Sequence, residues 1–413
     1  MANSFINTDL VARLALKSAH EKSQFIATVD RQYDESFVSN GARHGNTLRV
    51  KSPNMYTRRQ NSRVMSVQEQ DEKVQTITVG TQDGVDMSFT SKELMFDTES
   101  PKEVAAFQEK YIDPAMNVLI SGIESDFIAY ATKATYQLAG TAGTAITDLS
   151  VPGIARAKLN QQLAPKDKRV AMIDSVTMGT IINGRVSYFN PSGEISSNYR
   201  EGMVGRNATA DWYENDRMWT LANGSDVTID TDAAALVVDG TGALDFHTLT
   251  ASAVTVGSVF TIAGVYDCHP ETKAKYPNFK QFTLVSGGAT TGASVISPAL
   301  YLTGPRKNVV SSTGGELAAS DFNAKTLTFV GLASTRYVQG LMYHKDAFQF
   351  VTADMPLKAD AASCSVRQKD GISIRVWQGS DIRNDELLLR LDIMYGFAAL
   401  RPEWACRLIG SAG

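Results

Sequence analysis

The sequence has little of what disulfide frameworks and metal sites require. Its 413 residues include five histidines and only three cysteines, Cys268, Cys364 and Cys406. The cysteines are odd in number, widely spaced and without a CxxC pair, so we expect no disulfide framework, no metal site and a reducing compartment. A chain of this length can bury a sizeable core without such crosslinks.

A strong charge of either sign and a long apolar run are also absent. There are 40 lysines and arginines against 44 aspartates and glutamates, a net charge of -4. This excludes a protein that coats DNA by charge alone and an acid-rich disordered chain. The longest uncharged stretches, 246–266 and 286–305, are interrupted by glycine, serine and threonine, so neither resembles a membrane helix. The first ten residues lack the pattern of a secretory signal, and we expect a cytoplasmic product that binds no membrane.

Motifs for catalysis or cofactor binding are missing as well. We find no GxxxxGK[ST] phosphate loop, no GxGxxG, no GxSxG and no HExxH. Cys268 and His269 are adjacent, but neighbouring residues of a strand point to opposite faces and rarely share a metal. Two pairs of carboxylates stand two residues apart: Asp230 with Asp232, and Glu214 with Asp216. Without a glycine-bearing ligand loop we interpret both pairs as surface turns. The sequence therefore predicts no catalytic residue, no cofactor and no metal ligand.

The first ninety residues predict a helix, an arm and a long hairpin. Residues 7–29 have apolar side chains at helical spacing, and the polar residues 30–46 follow as an arm. Strands are expected at Thr47–Lys51 and Val74–Val79. Between them RRQNSRVMSVQEQDEK places positive side chains first and negative ones after. Such a hairpin suits contact with another subunit, and a solvated loop is the alternative that stays open. The candidate subunit-interface residues are Arg58, Arg59, Arg63, Glu69, Asp71 and Glu72.

Residues 100–138 carry the strongest helical pattern. Ser100 to Glu103 form a capping box with proline at the first helical position. Apolar side chains then recur at helical spacing. We predict one long helix, here called the spine helix, that Pro114 kinks and that Gly140 and Gly143 end.

The next two hundred residues change in character part-way. Residues 152–222 predict mixed helix and strand, with a helix from Ile154 to Leu163, a buried strand from Val170 to Ile173, and a second helix capped by Asp174 or Ser175. Over 223–333 glycine, serine and threonine rise, and short alternating strands replace the helical pattern. This shift predicts an inserted all-β barrel or sandwich.

The C-terminal residues 334–413 return to mixed sequence. The segment LLLRLDIMYGF, Leu387 to Phe397, alternates as a long strand, with Arg390 and Asp392 on one face and leucines on the other. Arg401 and the proline after it are expected to stop this strand.

Four segments share their order with one known family. The C-terminal block WQGSDIRNDELLLRLDIMYGFAALRPE, Trp377 to Glu403, combines a Gln-Gly step, an apolar strand, a Tyr-Gly pair and a closing Arg-Pro-Glu. The others are ISGIESDFIAYA at 120–131, YREGMVGRNATADWYENDRMWTL at 199–221 and GSVFTIAGV at 257–265. Together they resemble the major capsid proteins of tailed bacteriophages, in particular short-tailed-phage coat proteins with an extra β domain. Ser380 interrupts the QGD-like step, and Ala208 to Ala210 replace a Gly-Phe pattern.

The resemblance implies an α+β fold, the tailed-phage major capsid fold, with an inserted all-β domain. The implied parts are an N-terminal arm with helix (1–45), an extended hairpin loop (46–90), a peripheral domain with the spine helix (91–149), a first axial part (150–222), the inserted β domain (223–333) and return strands of the peripheral and axial domains (334–413).

The resemblance also implies a function. It implies a structural protein, not an enzyme, that assembles through hexamers and pentamers into an icosahedral shell enclosing double-stranded DNA without binding it specifically. The implied partners are copies of itself, a scaffolding protein and a portal, with a decoration protein as a further option. The implied location is the virion, after assembly in the host bacterial cytoplasm. No crosslinking site can be aligned, so none is predicted.

One competing function belongs to another class. In that alternative the β module is the functional part of a phage decoration or tail protein that binds a glycan or surface partner. It predicts a monomer or small oligomer with a ligand groove. An enzyme ranks third because no nucleophile, base or cofactor motif is found.

Overall fold

The computed structural model describes residues 8–33, 47–59, 61, 63–65, 67–68, 72–90, 108–185, 206–232, 237–247, 254–287, 292–357, 363–381, 384 and 386–412. The α-helices are α1 (Thr8–Lys22), α2 (Phe25–Thr28), α3 (Asp113–Ala134), α4 (Ser150–Gln161) and α5 (Ser175–Arg185). Among the described residues, no helix is both long and apolar enough to cross a membrane.

The strands before and within the β module are β1 (Asp30–Tyr33), β2 (Thr47–Lys51), β3 (Val74–Thr78), β4 (Thr81–Thr90), β5 (Leu138–Ala139), β6 (Arg169–Ile173), β7 (Arg206–Asn207), β8 (Ala210–Glu214), β9 (Thr220–Ala222), β10 (Thr228–Asp230), β11 (Thr241–Phe246), β12 (Val259–Cys268), β13 (Lys275–Ser286), β14 (Gly292–Leu300), β15 (Val309–Val310) and β16 (Thr326–Phe329). The strands after it are β17 (Arg336–His344), β18 (Phe348–Ala353), β19 (Ser363–Lys369), β20 (Ile372–Asp381), β21 (Glu386–Ala399) and β22 (Ala405–Ala412).

The chain divides into two compact units, each assembled from three stretches of sequence. Unit 1 comprises Met1–Lys51, Val74–Phe127 and Phe348–Ala398. Unit 2 comprises Ser52–Lys73, Ile128–Ala347 and Ala399–Gly413.

Unit 1 is built on a sheet in the order β1-β18-β21-β20-β19, with β4 paired to β21 and α1 packed on β19 and β20. Its core is aromatic: the Phe127 ring stacks on Phe397 at 5.0 Å between centroids and meets Phe25 edge-on at 4.9 Å. The long strand expected at Leu387 to Phe397 is confirmed as part of β21. Asp392, expected on the polar face, is fully buried, and Arg375 on β20 offsets the cost of this burial by donating to its carboxylate at 2.6 Å.

The expected N-terminal helix is two helices. Helix α1 ends at Lys22 and α2 begins at Phe25, so the predicted continuous run over 7–29 is wrong. The backbone amides at the start of α2 donate to the carboxylate of Glu124 on α3 rather than to a preceding turn. The interruption between α1 and α2 is thus stabilised by a residue about a hundred positions away in the sequence. The local spacing of apolar residues does not reveal such a partner.

The spine helix differs from its prediction at its C-terminal end. A π-helical turn, Gln108–Ile112, runs directly into α3, so Pro114 lies where the π-helical and α-helical turns join. The helix ends at Ala134 and not at the predicted glycines. Gly140 and Gly143 have φ of +104° and +85° and form the turn after β5 instead. The predicted capping box at 100–103 lies outside the described residues.

In unit 2, a sheet runs in the order β5-β22-β17-β6-β8-β7, with β9 paired to β17. Helices α4 and α5 bury Leu159 and Ile181 against Ile173 of β6. The predicted buried strand and second helix are confirmed as β6 and α5, and Asp174 caps α5 by accepting from the Thr177 amide at 3.0 Å. Strand β22 was not foreseen.

The inserted β module is a closed barrel. Antiparallel neighbours run in the order β10-β16-β12-β13-β14-β11. The first and last strands then meet through a bridge from Thr231 to Phe246 and two hydrogen bonds, Asp232 N to Asp245 O at 3.1 Å and His247 N to Asp230 O at 2.9 Å. Closure leaves no unpaired edge at this seam. Phenylalanines 246, 260, 282 and 329 fill the interior.

Candidate functional site

The segment between β2 and β3, here called the extended loop (Ser52 to Lys73), is the candidate interaction surface. Strands β2 and β3 pair from Thr47 with Thr78 to Lys51 with Val74. The Ser52 amide continues the pairing by donating to Lys73 O at 2.9 Å. Further out, Gln68 links both arms, because its Oε1 accepts from Thr57 N at 2.8 Å and its Nε2 donates to Thr57 O at 2.7 Å. The side chain of one glutamine therefore holds the loop as a hairpin.

The predicted interface residues that the structure describes are exposed. Arg58, Arg59, Arg63 and Glu72 all face solvent. Arg59 also donates from Nη1 to Val64 O at 2.6 Å, so its guanidinium helps to shape the loop. Glu69 and Asp71 lie outside the described residues. The predicted ion pairs to another subunit therefore stay a prediction.

Sequence reasoning missed an apolar component of the extended loop. Val64, Met65 and Val67 are 77%, 75% and 78% exposed. Large apolar groups that cluster at the surface mark interaction sites more often than isolated ones do. In the sequence these residues are part of the run VMSV, which is too short to predict a buried strand or helix.

The base of the extended loop rests against the barrel in unit 2. Lys73 Nζ donates to the Tyr301 hydroxyl and lies 4.2 Å from the centroid of the Tyr301 ring. Beside this pair is a cavity of about 320 Å³ lined by Met55, Asp239 and Arg306 among others. This contact positions the loop within the subunit.

Cys268, His269 and Asp232 have structural roles in the fold. His269 Nδ1 accepts from the amides of Glu271 and Thr272 at 3.1 and 3.2 Å, which closes a turn. Cys268 is buried, and burial raises the pKa of its thiol, so it is a poor nucleophile at neutral pH. Asp232 contributes to barrel closure. No cluster of three or more His, Cys, Asp or Glu suited to a metal occurs in the described part of the chain.

A buried ion pair lies where the barrel meets the rest of unit 2. Lys280 Nζ is 2.8 Å from Asp267 Oδ1, and the Lys280 side chain is only 3% exposed. Burial alone would lower the pKa of Lys280, but the Asp267 carboxylate outweighs it and raises the pKa above its usual value. Asp267 Oδ2 accepts from Gln162 after α4 at 2.9 Å, and the Lys280 ammonium lies 5.2 Å from the Tyr136 ring. These contacts hold the barrel against the rest of unit 2 in the same subunit.

The family comparison covers the barrel and the strands that follow it. Residues 210–410 match the family model described as P22 coat protein, gene protein 5. This match supports a tailed-phage major capsid protein. The resemblance stated from the four segments is thereby confirmed, as is the α+β capsid fold with an inserted β domain. The function of such a protein is structural, and it forms the shell of the virion by self-assembly. No curated protein matches the sequence.

Solved structures with similar backbones include those of several phages. The capsid of Ralstonia phage GP4 has 7% identity and a TM-score of 0.48, covering 95% of this chain and 92% of that one. Mycobacterium phage Che8 has 10% identity and a TM-score of 0.45, covering 94% and 90%. The mature capsid of bacteriophage PhiM1 has 11% identity and a TM-score of 0.44, covering 94% and 87%. With TM-scores below 0.5, these likenesses add nothing to the assignment, which the family match carries.

Proposed function

We propose that the extended loop is the arm through which one coat subunit grips the next. The observation that carries this proposal is the combination of exposed Val64, Met65 and Val67 with exposed Arg58 and Arg59 on a hairpin braced by its own hydrogen bonds. Apolar groups in water gain free energy when a second subunit covers them. The arginines would add directional pairing to carboxylates of the neighbour.

The remaining parts of the subunit take roles consistent with that arm. We assign 1–45 to an N-terminal arm, 46–90 to the extended hairpin loop, 91–149 to the peripheral domain, 150–222 to the first axial part, 223–333 to the inserted domain and 334–413 to return strands. Shell contacts between ring neighbours join different surfaces of identical subunits, so they are spread over arms and loops. Each contact can be weak because many act together.

We further propose that the protein has no catalytic role and assembles in the host cytoplasm through hexamers and pentamers, with a scaffolding protein and a portal. A decoration protein is a further partner to be sought. The net charge of -4 on the coat protein suits a shell that encloses DNA without binding it specifically. Interfaces of moderate strength suit a shell that must assemble reversibly before it closes.

Negative-stain electron microscopy of the purified protein, with and without a scaffolding partner, tests this function. Closed shells, open sheets of capsomers or tubular polyheads are expected. Featureless monomers at high concentration in both conditions would support instead a monomeric decoration or tail component. Sedimentation of the same samples gives the fraction assembled.

A further inference from the structure

A single guanidinium joins three parts of unit 2 that are far apart in sequence. Arg407 on β22 is fully buried. Its Nε donates to Thr135 O at 2.6 Å, and Nη2 donates to Lys133 O at 3.1 Å; both carbonyls are at the C-terminal end of α3. Nη1 donates to Gly257 O at 2.6 Å, and Nη2 also reaches Thr283 Oγ1 at 2.9 Å; both acceptors belong to the barrel segment.

Within the described part of the chain, the Arg407 guanidinium forms no ion pair with a carboxylate. Its acceptors are neutral: three backbone carbonyls, the Thr283 hydroxyl and the side-chain oxygen of Gln339 at 3.1 Å. Burial lowers the pKa of Arg407 to about 9, which still leaves it protonated at neutral pH. A buried cation of this kind is tolerable only while all of its acceptors stay in place. Movement of the barrel would remove two of the five.

The Arg407 guanidinium also stabilises the C-terminal end of α3. The last carbonyls of an α-helix have no intrahelical donors, and the negative end of the helix dipole favours a cation. Arg407 supplies both a donor and a charge. Thr283 Oγ1 of the barrel donates to Lys133 O as well, at 3.1 Å. Lys133 O, Arg407 and Thr283 thus form a closed triangle of hydrogen bonds between helix, sheet and barrel.

The backbone at the barrel side of this joint is equally constrained. Gly257 has φ of +94°, and a Cβ there would come within 2.8 Å of the Trp219 ring and 2.9 Å of the Lys133 side chain. Only glycine therefore lets the carbonyl at this position approach Arg407 so closely.

We propose that Arg407 is the residue that fixes the inserted barrel to the last turn of α3 and to the β17–β22 pair, so that its loss leaves the barrel folded but free to move. Other contacts also hold the barrel: Lys158 donates to Gln281 at 2.6 Å, Gln162 donates to Asp267 at 2.9 Å, and the Leu138 amide donates to Gln281 at 2.9 Å. Each is a single hydrogen bond to a barrel side chain, whereas Arg407 bonds helix, sheet and barrel at once. This inference concerns the single subunit and does not depend on assembly.

Hydrogen exchange on the unassembled full chain tests it. The Leu138 amide donates to Gln281 Oε1 across the joint at 2.9 Å and reports on it directly. In Arg407→Met we expect this amide to exchange about tenfold faster or more, the effect of losing a hydrogen bond to a charged group. Amides between β12 and β16, inside the barrel, should keep their wild-type rates.

A matched control is Arg169→Met. Arg169 is also buried and donates to carbonyls, Pro165 O at 2.6 Å and Ala164 O at 2.7 Å, but it has no barrel partner. In Arg169→Met, the exchange rate of the Leu138 amide should stay unchanged relative to the amides of the surrounding sheet. Equal acceleration of joint and barrel amides in Arg407→Met, or acceleration of neither, would overturn the proposal.

A milder pair of variants decides the matter if Arg407→Met does not fold. Thr283→Val removes the hydroxyl of the triangle with little change of shape, and Thr283→Ser keeps it. We expect a few-fold faster exchange at Leu138 in the valine variant only. Identical rates in both variants would contradict the inference.

Discussion

The carboxylate of Glu124 on α3 accepts a hydrogen bond from the backbone amide of Phe25, with 2.7 Å between Oε1 and N. The amides of Gln24 and Ile26 reach the same oxygen at 2.6 and 3.3 Å. Glu124 is completely buried. One side chain on the long helix therefore satisfies three backbone donors at the start of α2 and ties the N-terminal segment to the core of unit 1.

Replacing this carboxylate should destabilise the subunit measurably. Glu124→Ala leaves buried amides without an acceptor, and such orphaned donors cost about 1–3 kcal/mol each. The expected result is a lower urea midpoint with an unchanged slope, followed by circular dichroism. Asp126→Ala, an exposed acidic position on the same helix, is the control and should change stability by less than about 0.5 kcal/mol. Equal losses in both variants would refute the role assigned to Glu124.

The same example shows what the sequence does and does not reveal. Strand β21 was predicted because its pattern is local: alternation alone separates Leu389 and Leu391 from Arg390. The barrel was predicted because composition changes over a hundred residues. The end of α3 was placed too late, because its terminal carbonyls are satisfied by Arg407, 272 residues away from Thr135, and no local signal marks such a partner.

The candidate site was predicted only in part for a related reason. Opposite charges on either side of a stretch without core pattern indicated a surface loop, and Arg58, Arg59 and Arg63 are indeed exposed. The exposed valines and methionine of that loop were not singled out, since an apolar residue in a sequence carries no sign of whether it will be buried. Only the fold shows that nothing in the described subunit covers them.

Acid should weaken unit 1 through Asp392. Burial opposes the charged form, but the hydrogen bonds from Arg375 and Arg390 outweigh it and lower the pKa of this carboxyl. The folded state therefore binds a proton less readily than the unfolded chain, whose aspartates titrate near pH 3.9. The stabilisation is complete above that pH and is lost as pH falls through the lower, folded pKa.

Asp392→Asn tests this dependence. Breaking a buried pair and leaving Arg375 uncompensated should cost about 3–5 kcal/mol at pH 7. Between pH 5 and pH 2 the variant should lose less stability than the wild type, because it no longer has this group to protonate. Urea unfolding across that range gives both slopes. A wild-type slope in Asp392→Asn would disprove the assignment.

Charge reversal in the extended loop should impair assembly without unfolding the subunit. Arg58→Glu with Arg59→Glu would turn attraction to a neighbour's carboxylates into repulsion. We expect fewer shells by electron microscopy, with an effect that shrinks at high salt because exposed charges are screened. Lys166→Glu with Lys168→Glu, two exposed reversals between α4 and β6, gives the same change of net charge and is the control. Normal shell yield from the double variant would show that assembly does not depend on ion pairs of Arg58 and Arg59.

The apolar side chains of the loop allow the sharpest separation of folding from assembly. Val64, Met65 and Val67 are each at least three-quarters exposed in the subunit, so changing all three to serine should leave the urea midpoint nearly unchanged. Covering a large apolar side chain contributes about 1.5–3 kcal/mol in each contact it makes, and every subunit of a shell repeats that contact. The protein concentration at which shells first sediment should therefore rise at least about tenfold. An unchanged threshold with an unchanged midpoint would mean that the loop does not face a neighbouring subunit.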